Sequence, residues 1–373
     1  MELSQVIVRQ MKMDLKHPFT TSVGTEQHKD VILVEVQSEK GQSGWAESVA
    51  INEPIYNEET VHTNWPIMRE FLLPKLWEAP VTHPSDVAER FEAVRGNFNA
   101  KAAVEQAVWD LYAKEKGISL KEALGGEYSQ IHVGVSVGIT ETMDELIGKI
   151  ESHVEKGYKR IKVKIMPGWD VDVLTAIRQK FPDIGLMADA NCAYTLQDVK
   201  HLQKLDGFGL TMIEQPLAHD DIIDHAVLQR LLKTPICLDE SLHTYEDVRK
   251  AVQFGSCRIV NLKVGRVGGL TETLKIHEFC REKNVPMWCG GMLETGIGRA
   301  HNVALSTLSQ FTYPGDTAPS SHYWTKDIIT PEVMMENGVI QIPDKPGIGY
   351  EVDVEYIESL TERKEVFTRD ENA

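Results

Sequence analysis

The chain has 373 residues, of which 42% are hydrophobic and 25% are charged, and its formal net charge is −17. This length is enough for one large barrel and a smaller domain, and the acidic balance argues against a general affinity for nucleic acid. No apolar run is long enough to cross a membrane. The first residues lack a basic segment followed by an apolar core, so we expect neither a membrane span nor a signal peptide.

The cysteines give a prediction about the redox environment. The chain has five of them, an odd number, and no C-x-x-C pair: Cys192, Cys237, Cys257, Cys280 and Cys289. This pattern indicates reduced, mostly buried thiols of an intracellular protein. We therefore expect a cytoplasmic location.

The N-terminal third predicts an α+β capping domain over residues 1–130. Strand-like runs at residues 6–15, 31–37 and 44–50 indicate an antiparallel meander, and three helical patterns follow, the first over residues 58–76. The small and polar segment from Pro18 to Thr25 is either a surface loop or a mobile lid, and the sequence alone favours the surface loop.

From residue 131 onward, strands and helices alternate. Apolar runs at residues 131–138, 160–166, 185–191, 211–215, 235–241, 258–264, 286–290 and 311–315 are separated by helical patterns. Eight strands and seven helices predict a (β/α)7β modified TIM barrel over residues 131–320, built from right-handed crossovers. Residues 321–373 carry a hairpin signal at Asn337-Gly338, and we expect this tail to return to the capping domain and complete it.

Five charged residues follow apolar strands at nearly constant spacing: Lys164, Asp189, Glu214, Asp239 and Lys263, separated by 25, 25, 25 and 24 residues. If each lies at the C-terminal end of its strand, all of them meet at one mouth of the barrel, which is where such barrels carry their active sites. Three carboxylates from neighbouring strands suit one hard divalent cation, Mg²⁺ or Mn²⁺. Lys162 and Lys164 are two apart, so both point into the barrel.

Structural explanations are weaker than this catalytic one. A single acidic residue at a strand end is usually a helix cap or a solvated carboxylate, but that does not account for five residues at one spacing. A barrel that binds metal without catalysis predicts a damaged base, whereas Lys162, Lys164 and Lys263 are all present. A purely structural protein leaves the three spaced carboxylates without a reason.

The motifs at these strand ends resemble those of the enolase superfamily, in the muconate-lactonizing-enzyme subgroup. They are Lys162-Val163-Lys164, Asp189-Ala190-Asn191, Glu214-Gln215-Pro216, Asp239-Glu240-Ser241 and Lys263. The resemblance covers essentially the whole chain, including the capping domain and the C-terminal return. It implies that Asp189, Glu214 and Asp239 bind the divalent cation, and that the protein is a homo-oligomer, since members commonly are.

Finer motifs resemble the o-succinylbenzoate synthase / N-succinylamino acid racemase family at residues 261–269, 290–298 and 313–317. Within them, Arg266 resembles a residue of members that also racemise. Related dipeptide epimerases carry an Asp-x-Asp pair after the eighth strand, whereas here the second position is Ala318. By this resemblance we expect the substrate to contact Asn191, Arg266, Gly291, Met292, Thr20 and Tyr56.

The resemblance implies removal of a proton α to a carboxylate, through an enediolate. Lys164 is the expected base, Lys162 is a neighbouring ammonium that lowers the pKa of Lys164, and Lys263 is the cation on the other face; spacing alone leaves the order of Lys162 and Lys164 open. The expected reaction is dehydration of 2-succinyl-6-hydroxy-2,4-cyclohexadiene-1-carboxylate in menaquinone biosynthesis. The alternative, or a second activity, is racemisation of N-succinylamino acids by the same lysines. Either way the substrate is a small carboxylate with a succinyl group.

Overall fold

The structure is a computed structural model that describes residues 1–20 and 25–369, and the side chains of residues 19–26 lie outside this description. The strands are β1 Leu3–Thr20, β2 Thr25–Ser38, β3 Ser43–Ser48, β4 Gln130–His132, β5 Gly134–Val137, β6 Arg160–Lys164, β7 Leu186–Asp189, β8 Ile213–Glu214, β9 Ile236–Leu238, β10 Ile259–Leu262, β11 Met287–Cys289, β12 Ile329–Thr330, β13 Val339–Gln341, β14 Glu351–Val352 and β15 Thr361–Thr368. The helices are α1 Val61–Ile67, α2 Leu73–Leu76, α3 Ser85–Phe91, α4 Phe98–Lys116, α5 Leu120–Leu124, α6 Met143–Glu155, α7 Val171–Lys180, α8 Val199–Leu202, α9 Ile223–Leu231, α10 Tyr245–Phe254, α11 Val264–Val267, α12 Leu270–Lys283, α13 Gly296–Leu305, α14 Ser320–Tyr323 and α15 Val354–Leu360. A π-helical turn, Met68–Leu72, joins α1 to α2, and two 3₁₀ turns, Leu196–Asp198 and Gln203–Phe208, flank α8.

The cap is an antiparallel sheet in the order β15-β1-β2-β3. Strand β2 is apolar on both faces, because Leu33 packs in the core shared with the barrel while its neighbour Val34 packs in the core under the cap helices. Successive side chains of a strand point to opposite faces, so this pattern places the sheet between two buried layers. At Gly44 a Cβ atom would lie 2.1 Å from the Ala107 carbonyl oxygen, so glycine allows α4 to pack directly on β3.

The barrel sheet is parallel in the order β5-β6-β7-β8-β9-β10-β11. Residues 311–315 connect its two edges, since Phe311 bridges to Met287 and Gly315 bridges to Val133, both in parallel orientation. The predicted (β/α)7β barrel with an α+β cap is thus confirmed. β15 pairs with β1 from Gln5 to Met11, so the C-terminal tail does complete the cap sheet. The boundaries near residues 130 and 320 remain predictions.

The predicted eighth strand at residues 311–315 forms only two isolated bridges, and the predicted strand at residues 131–138 was wrong in its extent. Residues 131–138 form two strands instead of one, because the chain leaves β4 at Val133, whose N–H donates to the Gly338 carbonyl at 2.9 Å. β4 pairs antiparallel with β13, and only β5 joins the barrel. The predicted Asn337-Gly338 turn forms, with positive φ at both residues, but its outgoing strand pairs with β4.

Two carboxylates of the cap lie at the start of barrel helices. Glu105 of α4 accepts the N–H groups of Leu270 and Thr271, both at 2.8 Å, where α12 begins. Glu47 of β3 accepts the N–H of Thr295 at 3.0 Å, where α13 begins. The first N–H groups of a helix lack partners within the helix and favour negative charge, so these carboxylates act as caps supplied by another layer.

Two expectations from composition can be compared with the described residues. Over residues 1–20 and 25–369, no helix has the length and apolar character needed to cross a membrane. Each of the five cysteines is a free thiol; four are buried, and Cys192 is half-buried.

Candidate active site

The barrel interior has an apolar floor and a charged layer above it. The floor consists of Met187, Met212, Cys237, Ile259 and Trp288. Two residues further along the same strands come Asp189, Glu214, Asp239, Asn261 and Gly290. Because side chains alternate along a strand, positions two apart share a face, and both sets therefore point inward. The apolar floor closes one end of the site, and the charged layer opens at the mouth.

Strand register brings the predicted residues together. Lys164 lies opposite Asp189, and Asp189 lies opposite Glu214. Asp239 directly follows β9 and Lys263 directly follows β10. All five spaced residues thus reach one mouth. β6 and β10 stand four strands apart in the barrel order, which puts Lys164 and Lys263 on opposite sides of it.

Lys162 is held among carboxylates. Its Nζ atom lies 3.2 Å from Asp189 Oδ2, 3.1 Å from Glu214 Oε2 and 3.1 Å from Asp316 Oδ2. Burial opposes the charged form, but Asp316, Glu214 and Asp189 outweigh burial and raise the pKa of Lys162. The group is therefore a fixed ammonium, which is the role expected of a positively charged neighbour of the base.

Lys164 contacts Asp189 and Asn191. Its Nζ atom lies 2.7 Å from Asp189 Oδ2 and donates to Asn191 Oδ1 at 2.5 Å. Asn191, which has a φ of +39°, donates from Nδ2 to Glu240 Oε1 at 2.8 Å. Asn191 therefore connects Lys164 to Glu240, a residue to which the sequence analysis assigned no role.

On the opposite side, Lys263 Nζ donates to Asp239 Oδ2 and to the Tyr56 hydroxyl, both at 2.9 Å. Burial opposes its charge, but Tyr56, Glu240 and Glu214 raise the pKa of Lys263 overall. Arg266 contacts the other Asp239 oxygen, Oδ1. Asp239 thus lies between two cations, and Tyr56 of the cap covers Lys263, whose Nζ is 4.4 Å from the centre of the tyrosine ring.

The carboxylates suit a hard cation in their chemistry. Burial and the charge of Asp189 both raise the pKa of Glu214, which shows that two acidic groups crowd one buried place. Glu240 Oε2 and Asn261 Oδ1 are buried oxygens without a hydrogen-bond partner among the described residues. These oxygens are the donors that Mg²⁺ and Mn²⁺ prefer.

The spacing of the acidic side chains has to be considered separately from their chemistry. Within residues 1–20 and 25–369, no three His, Cys, Asp or Glu side chains are grouped closely enough to hold a metal. Lysine and arginine side chains pair with Asp189, Glu214 and Asp239 instead. The set of three ligands therefore stays a prediction.

A cleft of about 490 Å³ opens at the mouth. It is lined by Pro54, Ile55, Tyr56, Asn57, Glu58, Asn191, Cys192, His219, Glu240 and His243. Tyr56 and Asn191 were predicted to contact substrate, whereas Glu240, His219 and His243 were not. All three follow strands β8 and β9, so the rule that strand ends meet at the mouth could have found them.

The remaining predicted contacts lie beyond β11 or outside the described part of the chain. Gly291 and Met292 form the loop between β11 and α13, and Met292 lines a small cavity together with Lys263. A Cβ atom at Gly291 would lie 2.9 Å from the Asp316 carbonyl oxygen, so the loop passes close to residues 311–316. The side chain of Thr20 lies outside the described residues.

Sequence reasoning missed an ion pair beneath Lys162. Arg160 Nη2 lies 2.5 Å from Asp316 Oδ1, and its guanidinium lies 4.7 Å from the centre of the Trp288 ring. Asp316 thereby contacts two cations of the same strand, Arg160 and Lys162 of β6. Arg160 precedes Lys162 by two residues, so its inward direction was available from strand periodicity.

Comparison with known proteins gives the family. Residues 3–125 match the family described as mandelate racemase / muconate lactonizing enzyme, N-terminal domain, and residues 145–357 match that described as enolase C-terminal domain-like. The chain belongs to this mandelate racemase / muconate lactonizing enzyme family of the enolase superfamily, whose enzymes generally depend on a divalent metal. The family resemblance of its motifs is thereby confirmed.

Individual relatives show more specific similarities than the family match does. The chain is 60% identical over 367 residues to an o-succinylbenzoate synthase of Geobacillus kaustophilus, covering 98% of both chains. It is 42% identical over 361 residues to an N-succinylamino acid racemase of Thermus thermophilus, covering 97% of this chain and 98% of the relative. A solved structure of an enolase-superfamily member from Listeria innocua matches with a TM-score of 0.96 at 40% identity, covering 99% of this chain and 100% of that one.

Proposed function

We propose that the protein is an o-succinylbenzoate synthase that dehydrates 2-succinyl-6-hydroxy-2,4-cyclohexadiene-1-carboxylate. The observation that carries the proposal is the pair of buried lysines, Lys164 and Lys263, on opposite sides of one charged mouth. The relative from Geobacillus kaustophilus, with its full-length match, supports this choice of reaction.

In the proposed mechanism Lys164, in its neutral form, takes the proton α to the substrate carboxylate. The electron pair of the broken C–H bond is held as an enediolate, and then expels hydroxide from the neighbouring carbon. The protonated Lys164 returns its proton to that hydroxide, so the balanced products are the aromatic ring and water. A bound divalent cation, held by Asp189, Glu214 and Asp239, would supply charge stabilisation at the substrate carboxylate.

The other charged groups support this step. Lys162, fixed as an ammonium by three carboxylates, places a second positive charge beside the proposed base. Lys263 presents a second ammonium to the opposite face of the developing anion. Both act near an apolar floor that contains Trp288, where fixed charges stabilise a transition state more strongly than in water.

A second candidate activity is racemisation of N-succinylamino acids. Removal of the α-proton on one face and its return on the other requires two proton-carrying groups on opposite sides, which is how Lys164 and Lys263 are placed. The relative from Thermus thermophilus supports this candidate. Both reactions begin with the same proton transfer on a succinyl-bearing carboxylate.

The test uses purified protein with Mg²⁺ and the two substrates in parallel. Dehydration is followed by loss of cyclohexadiene absorbance, and racemisation by α-deuterium uptake in D₂O and by optical rotation. Fast dehydration with slow exchange supports the synthase, and fast racemisation with poor dehydration supports the second candidate. Lys164→Ala should slow either activity by about 10²- to 10⁴-fold. Lys159→Ala, which removes an exposed lysine next to the same strand, is the matched control and should behave as the wild type.

The proposal includes one divalent cation and a homo-oligomer. Thermal unfolding with and without Mg²⁺ or Mn²⁺ tests the cation, because an ion that binds only the folded protein raises its melting temperature. The shift should survive in Lys164→Ala and disappear in Asp239→Ala. A metal-independent melting temperature would overturn the ligand set. Light scattering after size exclusion tests the assembly, and a monomer would contradict it.

A further inference from the structure

The loop at residues 290–295 leaves β11 beside the mouth and enters α13. Leu293 in its centre has a φ of +56°, a left-handed conformation that is uncommon for residues other than glycine. Such a conformation persists only when the surroundings fix it. The loop carries Gly291 and Met292, and Met292 shares a small cavity with Lys263, so whatever fixes the loop also shapes the wall of the site.

A cation from the cap holds the carbonyl groups of this loop. Lys29 of β2 donates from Nζ to the Met292 carbonyl oxygen at 2.6 Å and to the Leu293 carbonyl oxygen at 3.2 Å. Lys29 is 4% exposed. A charged donor in a buried place makes a stronger hydrogen bond than a neutral one, so these contacts fix the direction of both peptide groups.

A carboxyl group from the cap holds the other end. Glu47 of β3 accepts the Thr295 N–H at 3.0 Å and contacts the Thr295 hydroxyl. Between these points, Glu294 Oε1 accepts the Met292 N–H at 2.9 Å. The loop thus receives a cation at its carbonyl groups and carboxyl oxygens at its N–H groups, and the cap supplies both outer contacts. We call the pair Lys29 and Glu47 the cap clamp.

We propose that Lys29 is a positioning residue that sets the backbone at Gly291 and Met292, the predicted substrate contacts of this loop, and thereby the fit of the substrate. The inference rests on the proposed function for its kinetic consequence only. Lys29 acts through the loop, while the α-proton transfer depends on Lys164 across the barrel. Loss of the cap clamp should therefore weaken substrate binding more than it slows the chemical step.

The experiment compares Lys29→Met, which removes the donors but keeps the length of the side chain, with Lys29→Arg. Lys12→Met, on the neighbouring strand β1 and exposed, is the matched control. In full-length protein, hydrogen–deuterium exchange of peptides covering residues 290–296 should become about tenfold faster in Lys29→Met. Peptides covering β10 should not change.

Kinetics on the substrate that the wild type accepts supply the second readout. KM should rise about tenfold in Lys29→Met, with kcat nearly unchanged. Lys29→Arg should restore most of the wild-type KM, because it keeps a charged donor, and Lys12→Met should equal the wild type. If Lys29→Met fails to fold, Lys29→Gln takes its place, since its amide is polar but carries no charge.

The outcomes separate the two proposals. A wild type that is inactive on both substrates overturns the proposed function, and the exchange data then still decide whether Lys29 holds the loop. An active wild type whose loop exchange and KM are unchanged in Lys29→Met overturns the positioning role. A fall in kcat with unchanged KM would also overturn it.

Discussion

Glu47 gives a prediction about how stability depends on pH. Its carboxyl group is fully buried between the cap and α13, and burial raises its pKa to about 7, although Lys29 and the Thr295 hydroxyl favour the charged form. In the unfolded chain the group returns to its ordinary value of 4.5. Glu47→Gln keeps the size of the side chain and removes its titration.

The sign and size follow from these two pKa values. Below pH 4.5 the group is protonated in both states, so its titration does not change the free energy of unfolding. Between pH 4.5 and about 7 the unfolded chain loses the proton while the folded protein keeps it, so the free energy of unfolding falls as pH rises. The full difference corresponds to about 3 kcal/mol, and it is complete above pH 7. In the Glu47→Gln variant the free energy of unfolding does not fall for this reason as pH rises.

Urea unfolding of wild type and Glu47→Gln at pH 5, 6, 7 and 8 measures the effect. The stability of the variant relative to the wild type should increase by about 2 to 3 kcal/mol from pH 5 to pH 8, because a small part of the full difference is already present at pH 5. Because other titrating groups are common to both proteins, they cancel in the difference. A difference that is constant with pH would refute the reasoning, since it would mean that Glu47 has the same pKa in both states.

Three further substitutions test the site. Lys164→Ala should slow dehydration by about 10²- to 10⁴-fold with an unchanged circular dichroism spectrum, and a near wild-type rate would remove it as the base. Tyr56→Phe should lower kcat/KM about tenfold, because it removes the hydroxyl that accepts from Lys263 and donates to Asp239; unchanged kinetics would make that hydroxyl incidental. Trp288→Ala should lower the free energy of unfolding by about 3–5 kcal/mol, because this floor residue is fully buried, and a loss below about 1 kcal/mol in urea unfolding would contradict that packing.

Local periodicity was sufficient to predict the parts of the site that lie on strands. Asp189 and Glu214 end consecutive parallel strands, and the sheet register then places them side by side. Prediction from periodicity failed at residues 131–138, because the strand-like pattern is continuous there in the sequence. Its division depends on pairing with β13, more than 200 residues away.

The contacts between the cap and the barrel could not be predicted from the sequence either, because their partners also lie far apart along the chain. Lys29 and Glu47 contact residues that lie 263 and 248 positions later in the chain. In the sequence, neither Lys29 nor Glu47 differs from an ordinary charged residue of the capping domain. Only the docking of the cap on the barrel buries them against Met292 and Thr295. Asp316 belongs with them, since its partners Arg160 and Lys162 come from the opposite end of the barrel sequence.

The capping carboxylates have a consequence for how this protein can be recombined. Two barrel helices, α12 and α13, receive their first hydrogen bonds from Glu105 and Glu47 of the cap. A barrel expressed alone would expose those helix ends, and a cap taken from a distant relative would need carboxylates at the same two places. A cap and a barrel that keep these contacts therefore have to be inherited as a matched pair.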